Sequence, residues 1–478
     1  MRWWPIVVGL AVLARCGGSV ASTAAGPGAA RPLDARVRVL APKEPAPSVS
    51  SEALPPPPAV RFLEHPERLS HLFLALADLD SREARDDVRI VQYGDSHTAA
   101  DFGTSAVRRD LQARFGDGGR GFVSLGQPWK TFGQEGIDGG MSREFSPVHV
   151  GYHHGKVVGD GGVYGLLGVA VGTTKAGARA WTAVRSPTGR IEIAAWQQPR
   201  GGSFDVFVDG VRQDRVSTRG APEGSLFVPF ETSDGYHDIE VRTLGDGDVR
   251  IFGMILDRPQ FGIVVDALGI NGAQISSPLH WNEEHFVEQL HYRDPALVVL
   301  AYGTNESMDP TLADEDFIGR AVALLGRVER AAPASSCLLL GPPDRGQRAL
   351  GPHGVQTKRD IQWENAPRVV EIANLERRVA DAAGCAYFDQ IEAMGGPGSM
   401  VAWAAEPDPR AASDRVHLTR SGYAELGRAF SQDVIHAYET WRLTRGLAPP
   451  KLADAGAANP ELEQPIPPDI PWLDGAVP

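Results

Sequence analysis

The sequence predicts an α/β fold, a parallel sheet with helices on both faces, interrupted by an inserted β-sandwich of jelly-roll type. Three observations carry that prediction. Short apolar runs at 88–93, 261–268, 296–302, 337–340 and 385–389 read as buried strands. Segments of helical periodicity alternate with them, at 66–80, 104–115, 316–330, 366–382 and near 421–441. From about 145 to 260 this alternation stops, and short period-two runs between Gly and turn residues replace it.

Taken in order, the chain opens with a positive Arg2 and an apolar stretch from Trp3 to Leu13, the layout of an export signal within residues 1–25. It is too short for a comfortable membrane span. Leu13-Ala14-Arg15-Cys16 resembles a bacterial lipoprotein cleavage site, with Arg15 where such sites usually hold a small residue. Cleavage near Ala21 to Ala25 is the competing reading. The expected location is the periplasm or cell envelope, and a lipid at Cys16 is the one membrane attachment considered. Residues 26–59, rich in Ala, Pro and Ser, form an extended linker. At 478 residues, two packed units plus tails is the sensible expectation. The net charge of −13 argues against broad attachment to nucleic acid or anionic lipid.

The α/β part of the chain is expected at 60–144 and 261–445, with the insert at 145–260 and a disordered Pro-rich tail at 446–478. The helical run at 66–80 leads into Val88-Arg89-Ile90-Val91-Gln92-Tyr93, which breaks at Gly94-Asp95-Ser96 and passes into a helix. A serine on such a bend stands at the carboxyl edge of a sheet, and the helix aims its N–H groups and positive dipole end near the hydroxyl. The plainer reading is a helix cap, for which Asp and Ser are favoured. Three distant segments favour chemistry. Gly272 follows the run 261–268, where a glycine lets a backbone N–H approach closely. A polar and aromatic stretch with Trp281 comes next. Asn305 follows the run 296–302, and its amide can donate to an oxyanion. Asp414 stands three residues before His417, a spacing that lets a carboxylate orient an imidazole whose other nitrogen faces a serine.

In the insert, Trp181, Trp196 and Tyr236 are candidates for stacking on sugar rings, although filling the sandwich core is the simpler expectation for each. The insert lies between Ser96 and Gly272, so both its ends are expected near the cleft. Cys337 and Cys385 start what look like neighbouring parallel strands. An exported protein can oxidise such a pair, and two buried thiols is an equal alternative. No Cys or His spacing fits a zinc site.

Ser96, Gly272, Asn305 and Asp414/His417, in that order, resemble the four blocks of the SGNH (GDSL-type) hydrolases, which implies a flavodoxin-like sheet. The flanking Gly94-Asp95-Ser96-His97-Thr98-Ala99-Ala100-Asp101-Phe102, Arg114 to Phe122 and Gly269-Ile270-Asn271-Gly272-Ala273-Gln274 are similar to bacterial peptidoglycan O-acetylesterases. Glu306 departs from the family, many of whose members carry Asp there, and little consequence is expected. In those enzymes an insertion at this place is similar to a carbohydrate-binding module. The resemblance implies a serine esterase with Ser96, Asp414 and His417 as catalytic residues, and an oxyanion hole of the Ser96 and Gly272 N–H groups and the Asn305 side chain. It implies O-acetylated glycan as substrate, foremost the MurNAc residues of peptidoglycan, with no metal or organic cofactor needed. An O-acetyltransferase acting on envelope polysaccharide and a non-catalytic carbohydrate-binding protein are the alternatives. The sequence says nothing of oligomeric state.

Overall fold

The computed structural model describes residues 60–153, 156–349 and 362–447. The expected export signal with Cys16, the 26–59 linker and the tail beyond Leu447 lie outside them.

Six strands form the central sheet, in the order Leu63–Glu64, Ala386–Phe388, Ser336–Leu340, Leu297–Ala301, Val88–Gly94, Ile263–Gly269. Neighbours pair in parallel, except that Leu63–Glu64 runs antiparallel at the edge. Successive side chains enter two different cores. Ile90, Leu297, Val299 and Phe388 pack with Phe73, Leu111 and Phe430 of helices Ser70–Asp80, Phe102–Phe115 and Arg420–Thr444. Val91, Tyr93, Val298 and Leu300 pack with Phe286, Phe317 and Ile372 of helices Glu283–Arg293, Asp314–Ala331 and Pro367–Ala383. Strands covered on both faces have no wet side, which is why these runs are apolar almost throughout. Cys337, on the strand Ser336–Leu340, and Cys385, just ahead of the neighbouring parallel strand, are joined by a disulfide with Cα atoms 4.9 Å apart.

The helix Glu283–Arg293 occupies the stretch that the sequence reading left as a polar connection. Few of its residues are both apolar and buried, Phe286 and Leu290 chief among them, so its apolar stripe is thin. Its signal sits at its start instead. The Asn282 side chain accepts from the His285 N–H at 2.9 Å, and Glu283 and Glu284 occupy the first turn.

A second, nine-stranded sheet holds the β-rich region. Its two longest strands, Arg179–Gln197 and Gly224–Thr243, pair along most of their length. Each continues through turn-like residues, Pro187 to Gly189 in the first and Ser233 to Gly235 in the second. Strands Ser203–Val208 and Val211–Ser217 extend the 239–243 end of Gly224–Thr243. Val249–Asp257, Val169–Thr173 and Ser146–His149 extend the 191–195 end of Arg179–Gln197. Ile193, Val206, Ile239, Val241 and Ile251, from both halves, share one core. Gly119–Val123 and Ile137–Met141 also pair into this sheet, so it begins well ahead of residue 145. Trp196 is packed inside, against Phe252 and His285. Trp181 and Tyr236 are not core residues: they are 43% and 44% exposed, on strand positions that face away from the packed side.

The ends of the β-rich region meet far from where the sequence suggested. Gly119 pairs with Asp257, and the Gly118 N–H reaches the Ile263 carbonyl at 3.1 Å. Ile263 begins the strand that ends at Gly269, so entry and exit lie at the opposite end of that strand from the second block.

The two sheets are bound by buried carboxylates as well as by shared core. Asp266, on the strand Ile263–Gly269, accepts from the Phe122 N–H at 2.7 Å and from Arg293 at 2.6 and 3.0 Å. Asp101 accepts from Thr104, from Arg108 at 3.1 Å, from the Glu135 N–H at 2.8 Å, and from Arg120. Both carboxylates are about 1% exposed or less. A buried guanidinium that loses its counter-charge costs on the order of 3 kcal/mol or more. Asp266→Asn is therefore expected to lower unfolding stability by about 3 kcal/mol, read from denaturant midpoints at unchanged slope. A loss well under 1 kcal/mol would show that the two sheets are held by their shared core alone.

Candidate active site

Three strand ends stand level. Gly94 is in register with Gly269 on one side and Ala301 on the other. The turns that leave those ends carry Ser96, Gly272 and Asn305, which places all three at the carboxyl edge of the sheet. Gly94 has no room for a side chain: a Cβ there would lie 2.2 Å from Thr98 Oγ1 and 2.7 Å from the Ala301 carbonyl. The chain can thus bend at once into the short helix Ser96–Ala99, whose cap is Asp95, accepting from the His97 N–H at 2.9 Å. As the first helical residue, Ser96 has an N–H with no intrahelical acceptor.

Ser96 Oγ lies 2.9 Å from His417 Nε2, and His417 Nδ1 lies 2.7 Å from Asp414 Oδ2. The other oxygen of Asp414 accepts from the N–H groups of Val416 and His417, both at 2.9 Å. One carboxylate therefore shapes the turn and orients the ring. That turn has Arg415 in the left-handed region at φ 56°. Burial opposes charge on His417, but the Asp414 hydrogen bond and charge outweigh it and raise the pKa above 6.5. Burial likewise raises Asp414, and the bonds from His417 overcome it, holding the carboxyl down at about 2. The pair is arranged to accept the serine's proton on Nε2 and to stabilise the imidazolium that results.

Gly272 sits at φ +74° in the turn closed by the Ala273 N–H to Ile270 carbonyl bond of 3.0 Å. Glycine is required there by conformation, since a Cβ would meet nothing within 4 Å. The Asn305 amide donates to the Ala273 carbonyl at 2.9 Å and to Asp95 Oδ2 at 3.3 Å. It thus ties the second and third turns to the serine's cap. Reaching an oxyanion would require it to exchange the longer bond, the one to Asp95.

Two neighbours were given no role by sequence reasoning. The His97 ring lies 5.3 Å from the His417 ring, and its Nδ1 is 2.9 Å from the Tyr423 hydroxyl. Burial, and then the charge of His417, depress its pKa to about 3. His97 therefore covers one face of His417 as a neutral ring. Its place directly after the serine was the only available signal. Glu306 is fully buried and accepts from the Ile275 N–H at 2.5 Å and the Gly303 N–H at 3.0 Å. It bridges the turns that follow the second and third strand ends, a span that gives the longer side chain a use.

Set beside known proteins, residues 233–425 match the model of the GDSL-like Lipase/Acylhydrolase family. The span takes in Gly272, Asn305, Asp414 and His417, while Ser96 lies ahead of it, across the β-rich region. Residues 233–425 thus carry the signature of a GDSL/SGNH acylhydrolase domain. Among solved structures it is similar to a peptidoglycan O-acetylesterase, at 23% identity and TM-score 0.63, over 77% of this chain and 96% of that one. It is also aligned with a family two carbohydrate esterase from Clostridium thermocellum, at 12% identity and TM-score 0.24, over 63% and 99% of the two chains. The first likeness shows the fold. No curated protein matches the sequence.

The two histidines should separate on titration. In histidine NMR spectra the His417 ring is expected to gain its proton at a pH above 6.5, whereas His97 stays neutral down to about pH 3. Titration of His97 between pH 6 and 7 would contradict its assignment as a buried neutral ring.

Proposed function

We propose that this protein is an exported serine esterase that removes O-acetyl groups from a glycan, foremost the MurNAc residues of peptidoglycan, through an acyl-enzyme. The observation that supports it most is the unbroken relay from Ser96 Oγ to His417 Nε2 at 2.9 Å and from His417 Nδ1 to Asp414 at 2.7 Å. Ser96 Oγ attacks the ester carbonyl while its proton passes to His417 Nε2. The oxyanion is met by the N–H groups of Ser96 and Gly272 and by the Asn305 amide. Collapse breaks the bond to the sugar oxygen, which takes the proton from His417 and leaves as the alcohol. Water, deprotonated by His417, then releases acetate and restores Ser96. Export rests on the signal-like start of the sequence, where a lipid on Cys16 would provide an anchor.

The β-rich region has a role in this reading. The segment after Gly119–Val123 rises to the site, where Trp129 donates its indole N–H to Asn271 at 3.2 Å, next to Gly272. His149, from the same sheet, lies 5.1 Å from the Trp129 ring. A half-exposed indole beside the oxyanion turn is suited to a sugar face. The region 145–260, with the strands at 119 and 137, is then an accessory module whose contribution to the cleft is this edge.

Acetate release from O-acetylated peptidoglycan, from O-acetylated neutral polysaccharide and from a small acetyl ester tests the reading, with an acceptor sugar present and absent. Ser96→Ala is expected to keep the fold and remove turnover of all three substrates. Full activity in that variant would end the serine mechanism, and transfer to the added sugar in preference to water would make the protein a transferase. Trp129→Ala is expected to lower turnover of the polymers about 10-fold or more relative to the small ester, because remote contacts orient the reacting group. Parallel losses on polymer and small ester would leave Trp129 a structural role only.

A further inference from the structure

An open cavity of about 610 Å3 lies beside the proposed catalytic relay, bounded by Ser307, Met308, Arg345, Gln347, Asp314 and Arg368. Its position is fixed by two of the turns already described. Ser307 is two residues beyond Asn305, and the Gly346 N–H donates to the carbonyl of Arg415 at 2.8 Å, inside the Asp414–His417 turn. The two arginines of its wall differ. Arg368 is bonded to carboxylates, Asp314 at 2.7 Å and Glu371 at 2.9 Å, so its charge is compensated. Arg345 is 9% exposed, and its donors go to Ser307 Oγ at 3.1 Å, the Ser307 carbonyl at 3.1 Å and the Gly346 carbonyl at 3.5 Å. Among the described residues no carboxylate is bonded to it. The adjacent Asp344 acts on it through charge but makes no hydrogen bond to it, its Oδ2 accepting from the N–H groups of Gly398 and Met400.

A guanidinium with five N–H donors, desolvated and left without a bonded counter-charge, is an uncommon arrangement in a chain of net charge −13. Hydrogen bonds to three neutral oxygens hold the group in place but do not neutralise it. An anion entering the cavity would gain a charge-assisted hydrogen bond and would remove the uncompensated charge. Burial pushes the Arg345 pKa down, with Asp344 pulling the other way, which fits a cation short of a partner.

We propose that Arg345 anchors an anion subsite, and that the cavity takes a carboxylate carried by the glycan near the acetyl ester. The inference rests on the esterase reading and narrows its substrate class to acidic glycans, as opposed to neutral acetylated polysaccharides such as xylan. In peptidoglycan a carboxylate has two sources, the lactyl group of the muramyl residue once its peptide is removed, or the peptide stem itself. Either presents the planar, two-oxygen group that a guanidinium recognises.

The test compares kcat/KM on O-acetylated peptidoglycan bearing peptides, the same glycan stripped of peptides, and a neutral O-acetylated polysaccharide. Arg345→Gln is expected to lower the ratio of acidic to neutral substrate about 10-fold or more, the scale of one charge-assisted hydrogen bond. Arg345→Lys should recover part of that ratio. A loss confined to the peptide-bearing polymer identifies the stem carboxylate, and one confined to the stripped glycan identifies the lactyl carboxylate. Equal losses on acidic and neutral polymers would show Arg345 to be a support for the Ser307 turn and overturn the subsite. Should Arg345→Gln not fold, methyl-esterifying the glycan's carboxylates gives the same answer with the wild-type protein. Turnover must fall by about the same factor, and unchanged turnover rejects the subsite. Failure of the esterase reading would look different, as no Ser96-dependent acetate release from any of the polymers.

Discussion

The register of three parallel strands is the constraint from which the site follows. Because Gly94, Gly269 and Ala301 end at one level, the chain must leave the sheet three times within a few ångströms. Each departure has its own restraint. Gly94 is pinned by Thr98 and the Ala301 carbonyl, and Gly269 by the Ala99 N–H, toward which a Cβ would come within 2.0 Å. The turns are then laced together by side chains of the same loops. Asn305 bonds to the Ala273 carbonyl and Asp95, and Glu306 bonds to the N–H groups of Ile275 and Gly303. Hydrogen-bond pairing of apolar strands thus sets the separation of groups that are far apart in the chain, and the polar turn residues fix their orientation.

Beneath Ser96 this lacing gathers three buried acids, Asp95, Glu306 and Glu376. A full set of negative charges there would oppose an oxyanion forming above. Burial works against that outcome. It raises Asp95 to about 7 with help from the charge of Glu306, and raises Glu306 and Glu376 as well. The helix N-terminus at Ser96 and the imidazolium of His417 supply charge of the opposite sign. His97 adds none, because its own burial keeps it neutral beside His417. The electrostatics of the site therefore depend as much on which groups are kept uncharged as on which are charged.

The parts of this arrangement that were legible in the sequence are local ones. An apolar run followed by Gly94-Asp95-Ser96 specifies strand, bend and helix over a dozen residues, and Asp414 three before His417 specifies its own turn. The central sheet and most of its helices were readable for the same reason. What was not readable depends on contacts across the chain. The strands Arg179–Gln197 and Gly224–Thr243 pass through turn-like residues because each has the other as a partner. Helix Glu283–Arg293 needs only a thin apolar stripe because the second sheet also covers it, Trp196 and Phe252 lying against His285. Trp181 and Tyr236 are alternating-strand aromatics whose side of the sheet is set by register, and a shift of one residue would have put them inside. That no carboxylate among the described residues is bonded to Arg345 has no sequence signature, since any acidic residue could have folded against it.

The β-rich region reaches the site without being hinged beside it. Its first and last strands are paired, Gly119 against Asp257, and stitched to Ile263 at the far end of the strand that bears the second block. A module attached only there would be free to pivot. Asp266 and Asp101 prevent this. Asp266 holds the Phe122 N–H part way along the strand, and Asp101, five residues after Ser96, holds Arg120 and the Glu135 N–H. Between Phe122 and Glu135 the chain is therefore clamped at one end to the strand that bears the second block and at the other to the start of the helix that follows the serine's turn. Trp129 lies within that clamped span. Its distance from Gly272 is thus held by buried charges on both sides, and this edge of the second sheet is built into the site rather than hung next to it.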